Sequence, residues 1–170
     1  MGGMAVTKDK ELELIRILEH HGRIGTDVLA KMLDENEDDV KKCMKKLEDE
    51  KVILSYATLI DWNKVTTEDH IAAMIDVKVT PQREVGFDEV AARIQRFPEV
   101  TALYLMSGTY DLSVMVEGQT MEGVARFVSR KLSTLDAVLS TTTHFRLKKY
   151  KHDGVIFNQD EKDRRMVVSP

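Results

Sequence analysis

The chain has 170 residues, 42% of them apolar and 32% charged, with a formal net charge of −4. This is the composition of a folded globular protein of one ordinary domain or two small ones, and its acid balance excludes a general attraction to nucleic acid or anionic membrane. The lone cysteine, Cys43, excludes an internal disulfide and a cysteine-built metal cluster, while the absence of a long apolar run or an apolar leader in MGGMAVTKDK points to the cytoplasm.

From Glu11 to His20 the residues Leu12, Leu14, Ile15, Ile17 and Leu18 form a helical stripe, which His21-Gly22 ends. Thr26 and Asp27 are placed to cap a second, short helix carrying Val28, Leu29, Met32 and Leu33. A third starts after the N-cap residue Asn36, with Glu37, Asp38 and Asp39 in its first turn and Val40, Cys43, Met44 and Leu47 on its buried face. That spacing leaves Lys41, Lys42, Lys45 and Lys46 around its exposed side. The run VILSYATLI that follows reads as one or two short strands.

Three short helices followed by a strand are the pattern of a winged helix-turn-helix, here over residues 1–60, whose third helix would enter the DNA major groove. Residues 8–64 nevertheless hold eleven Lys and Arg against fourteen Asp and Glu. Carboxylates at the start of a reading helix are repelled by phosphates, so the lysines would have to hold the DNA backbone. A solvated helix face with i to i+4 charge pairing accounts for the same lysines without DNA.

Residues 61–70, DWNKVTTEDH, are polar and unpatterned and form a hinge, in which Trp62 is expected to pack against a domain. Beyond it Ile71, Ala73, Ile75, Val77 and Val79 alternate as a strand ended by Pro81. Phe87, Val90, Ala91, Ile94 and Phe97 then give a helix stopped at Pro98. The stretch TALYLMSGTYDLSVMVEG follows, two alternating runs about Gly108, which is a β-hairpin apolar on both faces. Met121, Val124, Ala125, Val128, Leu132 and Leu135 make another helical stripe, and Val138–Leu147, with Thr141, Thr142 and Thr143, reads as the last strand.

The order strand, helix, strand, strand, helix, strand over residues 71–150 is the split βαβ, ferredoxin-like plan, so the chain is α+β. Its sheet has helices on one face only. Stacking two such sheets, or joining their edge strands, would cover Tyr104, Met106 and Met115, which predicts at least a homodimer. Residues 151–170 form a C-terminal extension, in which Val155–Phe157 and Met166–Val168 are strand-like and pair with each other, extend a neighbour's sheet or remain an exposed tail.

The segments HHGRIGTDVLAKML, VILSYATLIDWNKV and FPEVTALYLMSGTYDLSVMVEG, in that order, resemble the Lrp/AsnC family of bacterial and archaeal transcription regulators over residues 8–149. The resemblance implies a DNA-binding regulator without a cofactor, whose partners are double-stranded promoter DNA, an amino-acid effector bound between dimers, and further copies of itself up to an octamer. It places Asn36 and the four lysines at the DNA, Gly108, Tyr110 and Asp111 in the effector loop, and Thr141, Thr142 and Thr143 on the opposite wall. Asp111 is suited to an ammonium, and turn N–H groups with threonine hydroxyls to a carboxylate. Spacing alone favours Asp111 as a turn aspartate capping backbone amides over a ligand contact. The acidic start of the third helix departs from the family, and a sensing module with little DNA binding is an alternative. A sirohaem-decarboxylase-like enzyme is the other, although His20, His21, His70, His144 and His152 show no metal or nucleophile spacing.

Overall fold

The computed structural model describes residues 6–65, 71–80, 86–118 and 120–157. The chain divides into two compact units, residues 1–60 and 61–170. Pro81, His70, hinge residues 66–70 and the run Met166–Val168 lie outside the described residues.

The first unit is built from α1 (Lys8–His20), α2 (Thr26–Leu33) and α3 (Glu37–Asp49). Leu14 and Leu18 of α1, Leu29, Ala30 and Leu33 of α2, and Val40, Cys43 and Leu47 of α3 close one core. Residues spaced three and four apart put these side chains on one face of each helix, and their removal from water holds the three together. Val28 and Met32, which share the helical period of α2, lie on its exposed side instead. Thr26 is the first residue inside α2, not its cap; its hydroxyl donates to Glu37 Oε1 at 2.8 Å and ties the start of α2 to the start of α3.

Between α2 and α3, Asp34 takes the left-handed conformation, with φ of 50°. Glycine is the usual residue there, but a short polar side chain also tolerates it. Lys10 of α1 braces this turn, donating to the Asp34 carbonyl at 3.1 Å and pairing with Glu35 at 2.8 Å. Asn36 caps α3: its side chain accepts the Asp38 N–H at 2.9 Å.

The strands expected in VILSYATLI do not form within the described chain. An extended segment needs a neighbour to take its backbone hydrogen bonds, and residues 54–60 have no strand partner among the described residues. Leu54, Tyr56, Leu59 and Ile60 are all exposed.

The second unit carries a four-stranded antiparallel sheet of β1 (Ile71–Val79), β2 (Val100–Leu105), β3 (Leu112–Gly118) and β4 (Val138–Phe145), in the order β2-β3-β1-β4. Between them lie α4 (Phe87–Ile94) and α5 (Met121–Phe127), the latter running into a π-helical turn at Val128–Leu132. Ala73, Ile75, Val77 and Val79 of β1 and Leu112, Val114 and Val116 of β3 alternate onto the helix side, where Val90, Ile94, Val124, Phe127 and Leu132 cover them. This is the ferredoxin-like arrangement. Thr120 starts α5 by accepting the Gly123 N–H at 3.0 Å, and Phe97 meets Phe127 edge to face, centroids 5.6 Å apart.

A small hairpin follows, β5 (Lys151–His152) with β6 (Val155–Ile156) across an Asp153-Gly154 turn in which both residues have positive φ. Val155 and Ile156 therefore pair with residues just before them.

Candidate DNA-reading helix and effector loop

Three of the four lysines on α3 already hold carboxylates. Lys41 pairs with Glu37 at 2.8 Å, Lys42 with Asp39 at 3.0 Å, and Lys46 reaches across to Glu11 of α1 at 2.8 Å. Lys45 has no carboxylate partner among the described residues. The pairing offsets part of the acidity that counts against a DNA-reading helix: Glu11, Glu35, Glu37 and Asp39 each hold a lysine rather than present bare charge. Hydrogen bonds from Lys46 to Glu11 and from Lys41 to Glu37 hold those two carboxyls below their ordinary values. The lysine heads stay half to three-quarters exposed, and exposed pairs of this kind contribute little, so a phosphate can displace the carboxylate.

The Gly108 turn is closed by two backbone bonds, Met106 N–H to the Asp111 carbonyl at 2.8 Å and Asp111 N–H to the Val77 carbonyl at 3.0 Å. Gly108 has φ of 138°, a conformation side chains resist, and a Cβ there would meet open space. Ser107, Gly108 and Thr109 are exposed and Tyr110 half-buried. No N–H from Ser107 to Tyr110 has a hydrogen-bond partner among the described residues.

Asp111 points back into the sheet. Its Oδ2 accepts the Val79 N–H at 2.9 Å and its Oδ1 lies 3.3 Å from Lys78 Nζ, where β1 and β4 slip register between Lys78 and Val79. The Val79 amide first, and Lys78 with it, hold the carboxyl below the ordinary aspartate value. Asp111 thus does the turn-capping work that spacing alone allowed.

The three threonines of β4 do not share a wall. Thr141 and Thr143, opposite Val77 and Ile75, lie on the helix side; Thr142, opposite Asp76, lies on the other. Consecutive strand residues must alternate. Thr141 falls in the register row of Val77 and Leu112, next to Asp111, and Thr142 and Thr143 lie further along the sheet.

On the sheet face away from the helices, Ala102, Met115, Met74 and His144 form one row and Tyr104, Ser113, Asp76 and Thr142 the next. Tyr104 and Met106 are exposed and Met115 half-buried. Met74 belongs with them, and so does the pair Asp76–His144 at 3.0 Å, which apolar alternation does not reveal. The recurrence of Met74, Asp76 and Lys78 at every second position of β1 is the sequence signal that marks it.

Known proteins share this sequence and fold. Residues 72–156 match the Lrp/AsnC ligand binding domain. The chain is 57% identical over 162 residues, 95% of its length and 98% of the relative's, to an uncharacterized HTH-type transcriptional regulator, YugG, of Bacillus subtilis. It is 25% identical over 145 residues, 85% of its length and 92% of the relative's, to a proline dehydrogenase transcriptional activator of Rhizobium radiobacter. Its fold is similar, with a TM-score of 0.70 and 22% identity over 86% of this chain and 93% of the other, to a transcriptional regulator of Neisseria meningitidis solved in complex with L-Met. The chain belongs to the Lrp/AsnC family of HTH-type transcriptional regulators.

Proposed function

We propose that this regulator binds promoter DNA in a sequence-specific way through its helix-turn-helix and senses an amino acid or a related small metabolite at the Gly108 turn. The observation that carries the sensing role is the run of N–H donors from Ser107 to Tyr110, none with a hydrogen-bond partner among the described residues, in a largely exposed turn that Asp111 pins to β1. Several backbone donors without a partner in one turn suit the α-carboxylate of an amino acid. The effector site then comprises Gly108, Tyr110 and Asp111 with Thr141 beside them; Asp111 shapes the turn and offers its charge to the ammonium, and Thr142 and Thr143 fall outside that cluster. A relative solved with L-Met supports an amino acid as the ligand class.

On the DNA side, Lys41, Lys42, Lys45 and Lys46 exchange their carboxylate partners for phosphates, and Asn36 acts by fixing where α3 begins. The working unit is a cytoplasmic homodimer closed through the sheet face bearing Tyr104, Met106 and Met115, with dimers assembling further to an octamer. Effector binding between dimers couples to DNA to the extent that the ligand prefers one assembly. No catalytic role is assigned to any residue, and the named relatives are regulators.

Thermal unfolding measured against each of the twenty amino acids tests the sensing role. A true effector at one hundred times its Kd stabilises by about 2.7 kcal/mol. Asp111→Asn, which keeps an acceptor for Val79 but removes the charge, is expected to lose that shift. A panel with no stabilising amino acid contradicts the proposal, and an unchanged shift in Asp111→Asn removes the aspartate charge from the site.

A further inference from the structure

We infer that the hairpin of β5 and β6 is a second DNA contact, which holds the phosphate backbone of duplex DNA through Lys148, Lys149 and Lys151 without reading its sequence. This goes beyond the function proposed above, which gives the DNA to α3 alone.

The helix-turn-helix is poor in free positive charge. Residues 8–64 carry eleven Lys and Arg against fourteen Asp and Glu, and three of the four α3 lysines are held by carboxylates. Residues 146–151, RLKKYK, match the density of the lysine run on α3, four cations in six positions, and contain no carboxylate. Arg146 holds Glu117 at 3.3 Å, but Lys149 and Lys151 have no carboxylate partner among the described residues. The single acid of residues 146–157 is Asp153 in the turn, which lies 3.7 Å from His152.

Aromatic rings steady two of these lysines. Lys148 Nζ lies 5.4 Å from the centroid of the Tyr150 ring, and Lys149 Nζ lies 4.8 Å from that of Phe157. A ring face attracts an ammonium through its quadrupole but leaves the charge in place, whereas a carboxylate cancels it. The support is ordered as well. Lys151 pairs with Ile156 and His152 with Val155, and the Phe157 N–H donates to the Tyr150 carbonyl at 2.9 Å. Asp153 and Gly154 close the hairpin with φ of 44° and 79°, the two positive values that a two-residue turn of natural twist needs. Lys148 and Lys151 stand exposed on it and Lys149 half-buried.

Closely spaced cations whose charge is not cancelled draw a polyanion, and the polyanion that an HTH-type transcriptional regulator meets is DNA. Three ammoniums within four positions suit a duplex that carries about one charge per 1.7 Å of its axis. Residues 147–157 contain no Arg, Asn or Gln, the forked side chains that grip a base edge with two hydrogen bonds. The contact is therefore with phosphates and indifferent to sequence, and it adds affinity wherever α3 docks.

The test is fluorescence anisotropy of the full chain on two labelled duplexes, one from upstream of its own gene and one of unrelated sequence, from about 50 to 200 mM salt. Replacing Lys148, Lys149 and Lys151 together by glutamine is expected to weaken binding to both duplexes by the same factor. The slope of log affinity against log salt is expected to fall by about 0.9 for each phosphate released, about 2.7 for all three. Over that range of salt the wild type then loses up to about 40-fold more affinity than the variant. Arginine at the same three positions keeps the charge and is expected to keep the wild-type slope, which separates lost charge from a damaged hairpin. Wild-type affinity and slope in the glutamine variant overturn the inference and leave the α3 reading standing. A loss confined to the upstream duplex, or a slope that falls equally in the arginine variant, overturns it too. Equal wild-type affinity for the two duplexes, with the expected loss in the glutamine variant, overturns sequence-specific reading instead and leaves this contact in place.

Discussion

Asp111 serves the fold first. Its carboxylate accepts the Val79 N–H and faces Lys78, so it pins the hairpin turn to the irregular end of β1. Because its folded pKa is depressed, chiefly by that amide, the stabilisation it provides is complete above the ordinary aspartate value and is lost as pH falls through the lower folded value. Thermal unfolding between pH 2 and 6 should therefore show the wild type losing stability below about pH 4 more steeply than Asp111→Asn, and Asp111→Ala should be less stable than either at neutral pH. Two other residues carry sharper expectations. Gly108→Ala forces a side chain into a backbone conformation reserved for glycine and should cost about 1–3 kcal/mol in urea unfolding, with no clash to blame since the space is open. Asn36→Ala deletes the cap of α3 and should cost about 1 kcal/mol. If Asn36→Ala also weakens DNA binding, comparison with Asn36→Ser, which keeps a cap, separates loss of the helix start from loss of a DNA contact.

At the scale of elements, periodicity makes the helices, the sheet order and both cores readable, because burial selects side chains by face. Val40, Cys43 and Leu47, or Ala73, Ile75 and Val77, are visible in the sequence for that reason. What depends on contacts between elements is not readable. Nothing local to Lys46 names Glu11, thirty-five residues away, as its partner, and nothing in Thr26 indicates that it bonds Glu37 instead of capping its own helix. The threonine run of β4 departs from expectation for a different reason: the family resemblance assigns one wall to three neighbours, and strand geometry allows only alternate ones to share it. Residues 54–60 have strand-like composition but no strand partner within the described chain, and composition alone does not supply one. The salt bridges of α3 lead to a prediction at this scale. Replacing Lys41, Lys42, Lys45 and Lys46 together by alanine should weaken DNA binding across sequences and lower the slope of log affinity against log salt by about 0.9 for each phosphate no longer neutralised. An unchanged slope would show that α3 is not the element that docks.

For the whole molecule, acidity and DNA binding are reconciled by where the charge sits. The net charge is −4, yet four carboxylates on and beside α3, Glu11, Glu35, Glu37 and Asp39, are engaged in lysine pairs, and Lys41, Lys42 and Lys46 remain half exposed or more. In the function proposed above, association with DNA exchanges weak exposed pairs for phosphate contacts, and strong salt sensitivity is the expected consequence. In that same proposed function, ligand and assembly act on the second unit, through the Gly108 turn and the sheet face that bears Tyr104 and Met115. The most direct test is fluorescence anisotropy of the purified chain on duplex DNA from upstream of its own gene, at several salt concentrations, with and without a pool of amino acids. Affinity for that DNA is expected to exceed that for an unrelated duplex, to fall steeply with salt, and to shift when the pool is present. No binding at low salt, with or without amino acids, would contradict that expectation and leave a sensing module whose helix-turn-helix does not read DNA.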